Sequence, residues 1–101
     1  MAVLAVNVTH ISPFAATLGL LALAAEALEE GGLLCVYGPF SFAGLIEPES
    51  NRTFDASLRA RNAEWGYRDV EAVEKAASER GLRLLETVPM PANNHFLIFS
   101  K

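Results

Sequence analysis

Cysteine is nearly absent: Cys35 is the only one in 101 residues. That excludes an internal disulfide and a multi-cysteine metal site. Lysine is scarce too, with only Lys75 and Lys101, and the net charge is −4. Such a balance argues against general nucleic-acid binding. Residues 1–25 contain no Asp, Glu, Lys or Arg. This stretch is still no signal peptide, because it lacks a basic start. It is no spanning helix either: a span needs about 20 apolar residues in a row, and Asn7, Thr9, His10, Ser12 and Pro13 interrupt it. There is no P-loop, nucleophile elbow or metalloprotease pattern. A hydrolase reading therefore lacks a nucleophile and base.

What is present is a hydrophobic fraction of 51%, enough for a packed core in one domain over residues 1–101. Ala2–Val6 reads as a strand that is apolar on both faces, as central strands of parallel sheets are. Ser12-Pro13 then offers a capping hydroxyl and a proline for a helix start. Phe14, Leu18, Leu21, Ala25 and Leu28 follow helical spacing, and Gly31-Gly32 ends the helix. Leu33–Tyr37 is a second strand, again apolar on both faces, with Cys35 as a buried core thiol. Strand, helix, strand implies a right-handed parallel crossover.

Ser41–Pro48 reads as loop, and Asn51–Arg61 as a helix capped by Ser50 or Asn51. Asp69 caps a further helix with a Val70, Val73, Ala77 stripe and a Glu71–Lys75 pair. Leu82–Val88 is a third strand and Phe96–Phe99 a fourth. The link between them, Pro89–Asn94, is too short for a parallel crossover, so these two pair as a hairpin. The fold class is α/β: three parallel strands plus one antiparallel strand, with flanking helices.

If the first three strands are parallel, their C-terminal ends share one edge, where open α/β sheets hold ligands. That edge collects Asn7–His10, Tyr37–Phe40 and Met90–Asn94. Asn7 suits positioning and His10 proton acceptance; alternatively, Asn7 ends a strand and His10 bonds to backbone. Tyr37 can wall a flat ligand or simply close its strand. Arg59, Arg61, Asn62 and Trp65 can grip a substrate carboxylate or phosphate and stack on a ligand. Equally, the arginines can pair with Asp55, Glu64 and Asp69, and Trp65 can anchor packing. Asn93 and Asn94 can donate amides or form a left-handed turn. His95 reads as a surface residue. Two distant histidines without a carboxylate make no metal site.

A series of motifs makes a resemblance specific: Asn7-Val8-Thr9-His10-Ile11-Ser12-Pro13, Tyr37-Gly38-Pro39-Phe40, Ser50-Asn51, Phe54-Asp55, Leu58-Arg59, Arg61-Asn62, Trp65-Gly66, Arg68-Asp69 and Met90-Pro91-Ala92-Asn93-Asn94. In this order, over nearly the whole chain, they resemble the C-terminal half of the methyltransferase-like protein 26 family. That family is of unknown function and is classed with the S-adenosylmethionine-dependent methyltransferases. The resemblance implies strands four to seven of a Rossmann-like class I methyltransferase sheet, the last antiparallel between five and six. It implies S-adenosylmethionine as cofactor of the complete protein, held largely by a Gly-rich loop after strand one and an acid after strand two. Only Met1 precedes the first strand here, so the expected chain is a truncated one. It keeps an acceptor side (Asn7 and His10 catalytic; Tyr37, Arg59, Arg61, Asn62, Trp65, Asn93 and Asn94 substrate-binding), with unknown cofactor residues and no activity alone. The methyl acceptor is a small molecule or protein. A non-catalytic interaction module is the alternative. The lone thiol fits a reducing, cytoplasmic setting. The unpaired edge of the first strand invites self-association.

Overall fold

A computed structural model describes residues 2–101. The order is β1 (Ala2–Val6), a 3₁₀ turn (Thr9–Ile11), α1 (Phe14–Ala27), β2 (Leu33–Gly38), a short β3 (Phe40–Ser41) and α2 (Glu49–Arg61). There follow a short β4 (Arg68–Asp69), α3 (Val70–Ser78), β5 (Arg83–Met90), a second 3₁₀ turn (Pro91–Asn93) and β6 (Asn94–Ser100). The main sheet runs β1-β2-β6-β5, and β3 pairs with β4 beside it. β1 lies parallel to β2, with Val6 opposite Tyr37. β6 is antiparallel to both β2 and β5. Hence β1, β2 and β5 point one way and end along one edge, and the hairpin forms as its short link requires.

Strand parity decides the core. Val3, Leu34, Phe99 and Leu84 stand in one row across the four strands. They meet Leu21 and Ala24 of α1, Leu28 just after it, and Val70, Val73, Ala76 and Ala77 of α3. The neighbouring row points the other way: Leu4, Cys35 and Ile98. Here the expectation of two buried faces is corrected. Leu4 is 63% exposed and Val6 48%, and β1 has a partner on one side only. Cys35 is half-buried for the same reason, not a core thiol. An apolar alternation records what a residue prefers to touch, not whether both sides are filled.

Helix ends also differ from expectation. The Ser12 hydroxyl does not cap α1; it donates back to the Val8 carbonyl at 2.8 Å across the 3₁₀ turn. Pro13 takes the cap position, its carbonyl accepting from Ala16 N–H. α1 stops at Ala27, before the glycines, and Gly31 then takes the left-handed φ of +81°. α2 starts at Glu49, behind Pro48 and without a side-chain cap, because Asn51 is engaged elsewhere. Glu71 and Lys75 do not close an ion pair; among the described residues only Asp55 and Arg59 do, at 3.0 Å.

Asp69 caps α3 as expected, accepting from Glu71 N–H at 3.1 Å. It also accepts from the Ser41 hydroxyl (2.8 Å) and Gly44 N–H (2.7 Å). Burial opposes its charge, but these three bonds outweigh that and hold its carboxyl below the usual value. Replacing Asp69 by alanine should therefore cost about 2–3 kcal/mol, a cap plus charge-assisted bonds, read by urea unfolding at pH 7. Because the folded value is depressed, this contribution is full above the ordinary aspartate range and fades as pH falls through the folded value. The variant and parent should converge in acid.

No helix among the described residues is long and apolar enough to cross a membrane. Nor do they contain a cluster of His, Cys, Asp and Glu able to hold a metal.

Candidate functional site

A cleft of about 510 Å³ opens at the edge where β1 and β2 end. Pro39, just after β2, lines it, and four further backbone segments build it. The first follows β1. Asn7 adopts a left-handed φ of +54°, and its N–H donates to the Tyr37 carbonyl at 2.9 Å. The chain thus turns sharply off the sheet, and the 3₁₀ turn carries His10 in over β2. Gly38 lies directly beside it: a Cβ there would be in ordinary contact, 3.6 Å from His10 Nδ1.

His10 is 5% exposed, and its Nδ1 has no hydrogen-bond partner. Burial lowers its pKa, because desolvation penalises the imidazolium. The ring is therefore neutral at pH 7, with one nitrogen able to accept a proton. Its backbone carbonyl accepts from Gly66 N–H at 3.0 Å, which ties this segment to the loop after α2.

The second segment is α2, which offers Ser50, Asn51 and Phe54. These fall on one helix face by their spacing. Phe54 lies 6.0 Å from the His10 ring and 6.2 Å from Tyr67, edge-on to the latter. The third is the loop holding Tyr67, whose N–H donates to Asp55 Oδ1 at 2.7 Å. Burial, with the Asp55 charge, pushes the Tyr67 hydroxyl up to about 12, so it stays a phenol. The fourth is the β5–β6 turn. Ala92 and Asn93 both take left-handed φ, +63° and +60°. The Asn51 amide donates to the Asn93 and Glu47 carbonyls at 3.4 Å each, clamping that turn to α2. Asn94 Nδ2 donates to the Tyr37 hydroxyl at 3.1 Å.

So Asn7, His10, Asn93 and Asn94 converge, and Tyr37 stands behind Asn94, outside the lining. Asn93 makes the left-handed turn and also lines the cleft. The arginine fork is corrected. Arg59 is held by Asp55, and its guanidinium covers Gly66, where φ is +138° and a Cβ would come within 2.8 Å of Cζ. Arg68 donates to the Thr9, Ser12 and Glu64 carbonyls. Arg61 is exposed, Asn62 Oδ1 accepts from Glu64 N–H within its own turn, and Trp65 is half-buried; none of these lines the cleft. The segment fastens α2 and the β1–α1 link instead of gripping an anion. His95 is corrected too: it is half-buried, edge-on to Phe42 at 4.7 Å, with burial lowering its pKa.

Asn51, Phe54 and Tyr67 were not singled out as site residues in the sequence. The usable signal for the first two was Asn51, Phe54 and Leu58 at i, i+3 and i+7, on one face of α2.

The lining carries no carboxylate, no cation and no glycine. A neutral, flat ligand with hydrogen-bonding groups suits it better than an anion. These residues do not by themselves fit the ribose and methionine ends of S-adenosylmethionine, which call for an acid and a Gly-rich strand-to-helix turn.

The backbone is similar to solved methyltransferases. An O-methyltransferase family 2 protein from Planctomyces limnophilus, complexed with apigenin, superposes with a TM-score of 0.87 at 22% identity, over 99% of this chain and 30% of that one. Human N-acetylserotonin methyltransferase, complexed with S-adenosylmethionine, gives 0.85 at 15% identity, over 99% and 29%. An O-methyltransferase from neocarzinostatin biosynthesis, bound to S-adenosylmethionine and 2-hydroxy-5-methyl naphthoic acid, gives 0.75 at 19%, over 98% and 28%. The chain thus spans about 30% of the length of the solved proteins it matches, and the likeness is one of fold. A family model matches residues 1–101 in full, and the chain belongs to that family, the proteins of unknown function called DUF938.

Proposed function

We propose that this chain is the acceptor-facing part of an S-adenosylmethionine-dependent O-methyltransferase. In this reading it supplies strands four to seven of a Rossmann-like class I sheet, in the kinship of methyltransferase-like protein 26, and works in the cytoplasm. The acceptor is a neutral aromatic molecule bearing a hydroxyl. The observation that carries the reading is the buried, neutral His10 imidazole with an unpartnered nitrogen, on the wall of an uncharged cleft. Apigenin and the naphthoic acid, bound by two of the similar proteins, are hydroxylated aromatics.

The residues divide the work. His10 accepts the proton of the acceptor hydroxyl, which makes that oxygen the better nucleophile. The Asn7, Asn93 and Asn94 side chains hydrogen-bond the acceptor's polar groups and fix its angle. Phe54 and Tyr67 supply the apolar walls. Arg59 and Tyr37 act one step back, through Asp55–Tyr67 and Asn94.

The second reading is a non-catalytic interaction module. The absence of a ribose-binding acid in the lining favours it for the 101-residue chain alone. Calorimetry with S-adenosylmethionine separates the two: no heat is expected from this chain up to about 100 µM, whereas micromolar binding shows a cofactor site within it. Methyl transfer from labelled S-adenosylmethionine to apigenin by the complete protein then tests the enzyme. Asn7→Ala should lower that transfer about tenfold or more, the scale of one lost positioning contact. Unchanged turnover would remove Asn7 from the site.

A further inference from the structure

A second cavity, of about 190 Å³, is lined by Phe40, Phe42, Leu45, Glu47 and His95 and shares no lining residue with the cleft. It belongs to the helix-covered side of the sheet. Alternation along β6 puts His95 on the same face as Leu97 and Phe99, which enter the core. The open face and the β1 edge take no part in it. Hydrogen bonds within this chain hold its walls. Phe42 and Leu45 exchange both backbone bonds, at 3.0 and 2.9 Å. Between them Ala43 and Gly44 take left-handed φ of +52° and +78°. Asp69 fixes that turn from β4 through the Ser41 hydroxyl and Gly44 N–H. Phe40 joins the cavity to the core.

The lining combines aromatic rings with one negative charge. Phe42 and His95 meet edge-on, with centroids 4.7 Å apart. His95 Nδ1 is buried and has no hydrogen-bond partner. Burial lowers the pKa of that ring, so it is neutral at pH 7 and brings no positive charge. Glu47 is the one charged residue of the lining. Among the described residues it forms no ion pair. Arg52, which follows it on α2, is spent on the Ile46 carbonyl at 2.9 Å. We infer that this cavity is a binding site for a methylated ammonium group, seated against the Phe40, Phe42 and His95 rings with Glu47 as its counter-charge. The inference is independent of the enzyme reading.

Chemistry selects this occupant over others. Aromatic faces attract cations, and methyl groups on the nitrogen satisfy the apolar walls while spreading the charge. An anion would meet Glu47. A neutral ring would leave that carboxylate unused. A metal ion would find one imidazole and one carboxylate, too few ligands to hold it. Size agrees: sites for drug-sized molecules run to about 300–1,000 Å³, so this smaller cavity suits a headgroup and not a whole ligand of that kind. Glu47 is exposed, so solvent weakens its pull. A dissociation constant on the order of 1 mM is expected for the headgroup alone.

Titration with choline, followed in the ¹H–¹⁵N NMR spectrum at pH 7.5, tests this. Shifts should saturate at a few millimolar and centre on Phe40, Phe42, Leu45, Glu47 and His95. The neutral isostere 3,3-dimethyl-1-butanol has the same shape without the charge, and should bind about fivefold or more weakly. That comparison uses the unaltered chain, so it stands even if a variant misfolds. Glu47→Gln and Phe42→Leu should each weaken choline about three- to tenfold. Glu74→Gln, in the acidic groove by α3, should leave it unchanged, which separates the cavity from general attraction to a chain of net charge −4. The same shifts should appear in the complete protein. Four results each overturn the inference: no saturation by about 20 mM, equal binding of choline and its isostere, indifference to Glu47→Gln, or shifts centred on His10 or on Glu71 and Glu74. Loss of the shifts in the complete protein, where another segment would then fill the cavity, overturns it too.

Discussion

Replacing His10 by glutamine in the complete protein should cut methyl transfer about 10²–10⁴-fold, the range of a lost general base. Glutamine keeps a polar, planar group beside Gly38 but cannot take a proton. Acceptor KM should change little, because the asparagines and the Phe54–Tyr67 walls remain. The pH profile gives a second readout. Burial holds the His10 pKa below its ordinary 6.5, so kcat should rise with pH below that value and be flat near pH 7–8. Glutamine should abolish the rise. Turnover within about threefold of the parent, or an acid limb that survives in the variant, would show that His10 is only a packed core histidine.

The same burial acts on stability. His10 and His95 both have lowered values in the fold. The unfolded chain therefore binds more protons on the acid side, and stability falls as pH drops from about 6.5 through the folded values. Chemical denaturation at pH 7.5 and pH 5 should give the higher midpoint at pH 7.5. The double variant His10→Gln with His95→Gln should flatten that difference.

How much of this was legible beforehand differs by element. The alternation of strands and helices, the hairpin and the Asp69 cap are all local signals, and the structure carries each of them, with the hairpin link shortened from the expected Pro89–Asn94 to Pro91–Asn93 because Pro89, Met90 and Asn94 join the strands. Asn7 and His10 stand where a strand ends, so topology alone brought them to the ligand edge. The arginines failed because spacing cannot say what a guanidinium meets. Arg68 ends on three carbonyls, two of them more than fifty residues away in sequence. Tyr67 was hidden for a similar reason. Its place depends on Asp55, twelve residues earlier, and on the Gly66–His10 bond between distant loops. The face of β1 is the sharpest case. Leu4 and Val6 look like core residues in the sequence, and only the sheet order shows that nothing in the described chain lies over them.

Phe99→Ala should be the most destabilising single change in the chain. Phe99 is fully buried in β6, between Leu34 of β2 and Leu84 of β5. β6 is the strand that joins β5 to the rest of the sheet, so a cavity there loosens both of its pairings. Truncating such a side chain costs about 3–5 kcal/mol. A domain of this size holds only about 5–15 kcal/mol, so the melting temperature should fall by roughly 15–25 °C. Ile98 is the informative neighbour. It is one residue away on the same strand but faces the open side and is only half-buried. Ile98→Ala should cost about 1–2 kcal/mol, since less contact is lost and solvent can fill the gap. Both should be measured by thermal unfolding. Equal costs at Phe99 and Ile98 would mean that both faces of the sheet are packed within this chain, and the one-sided layer could not stand.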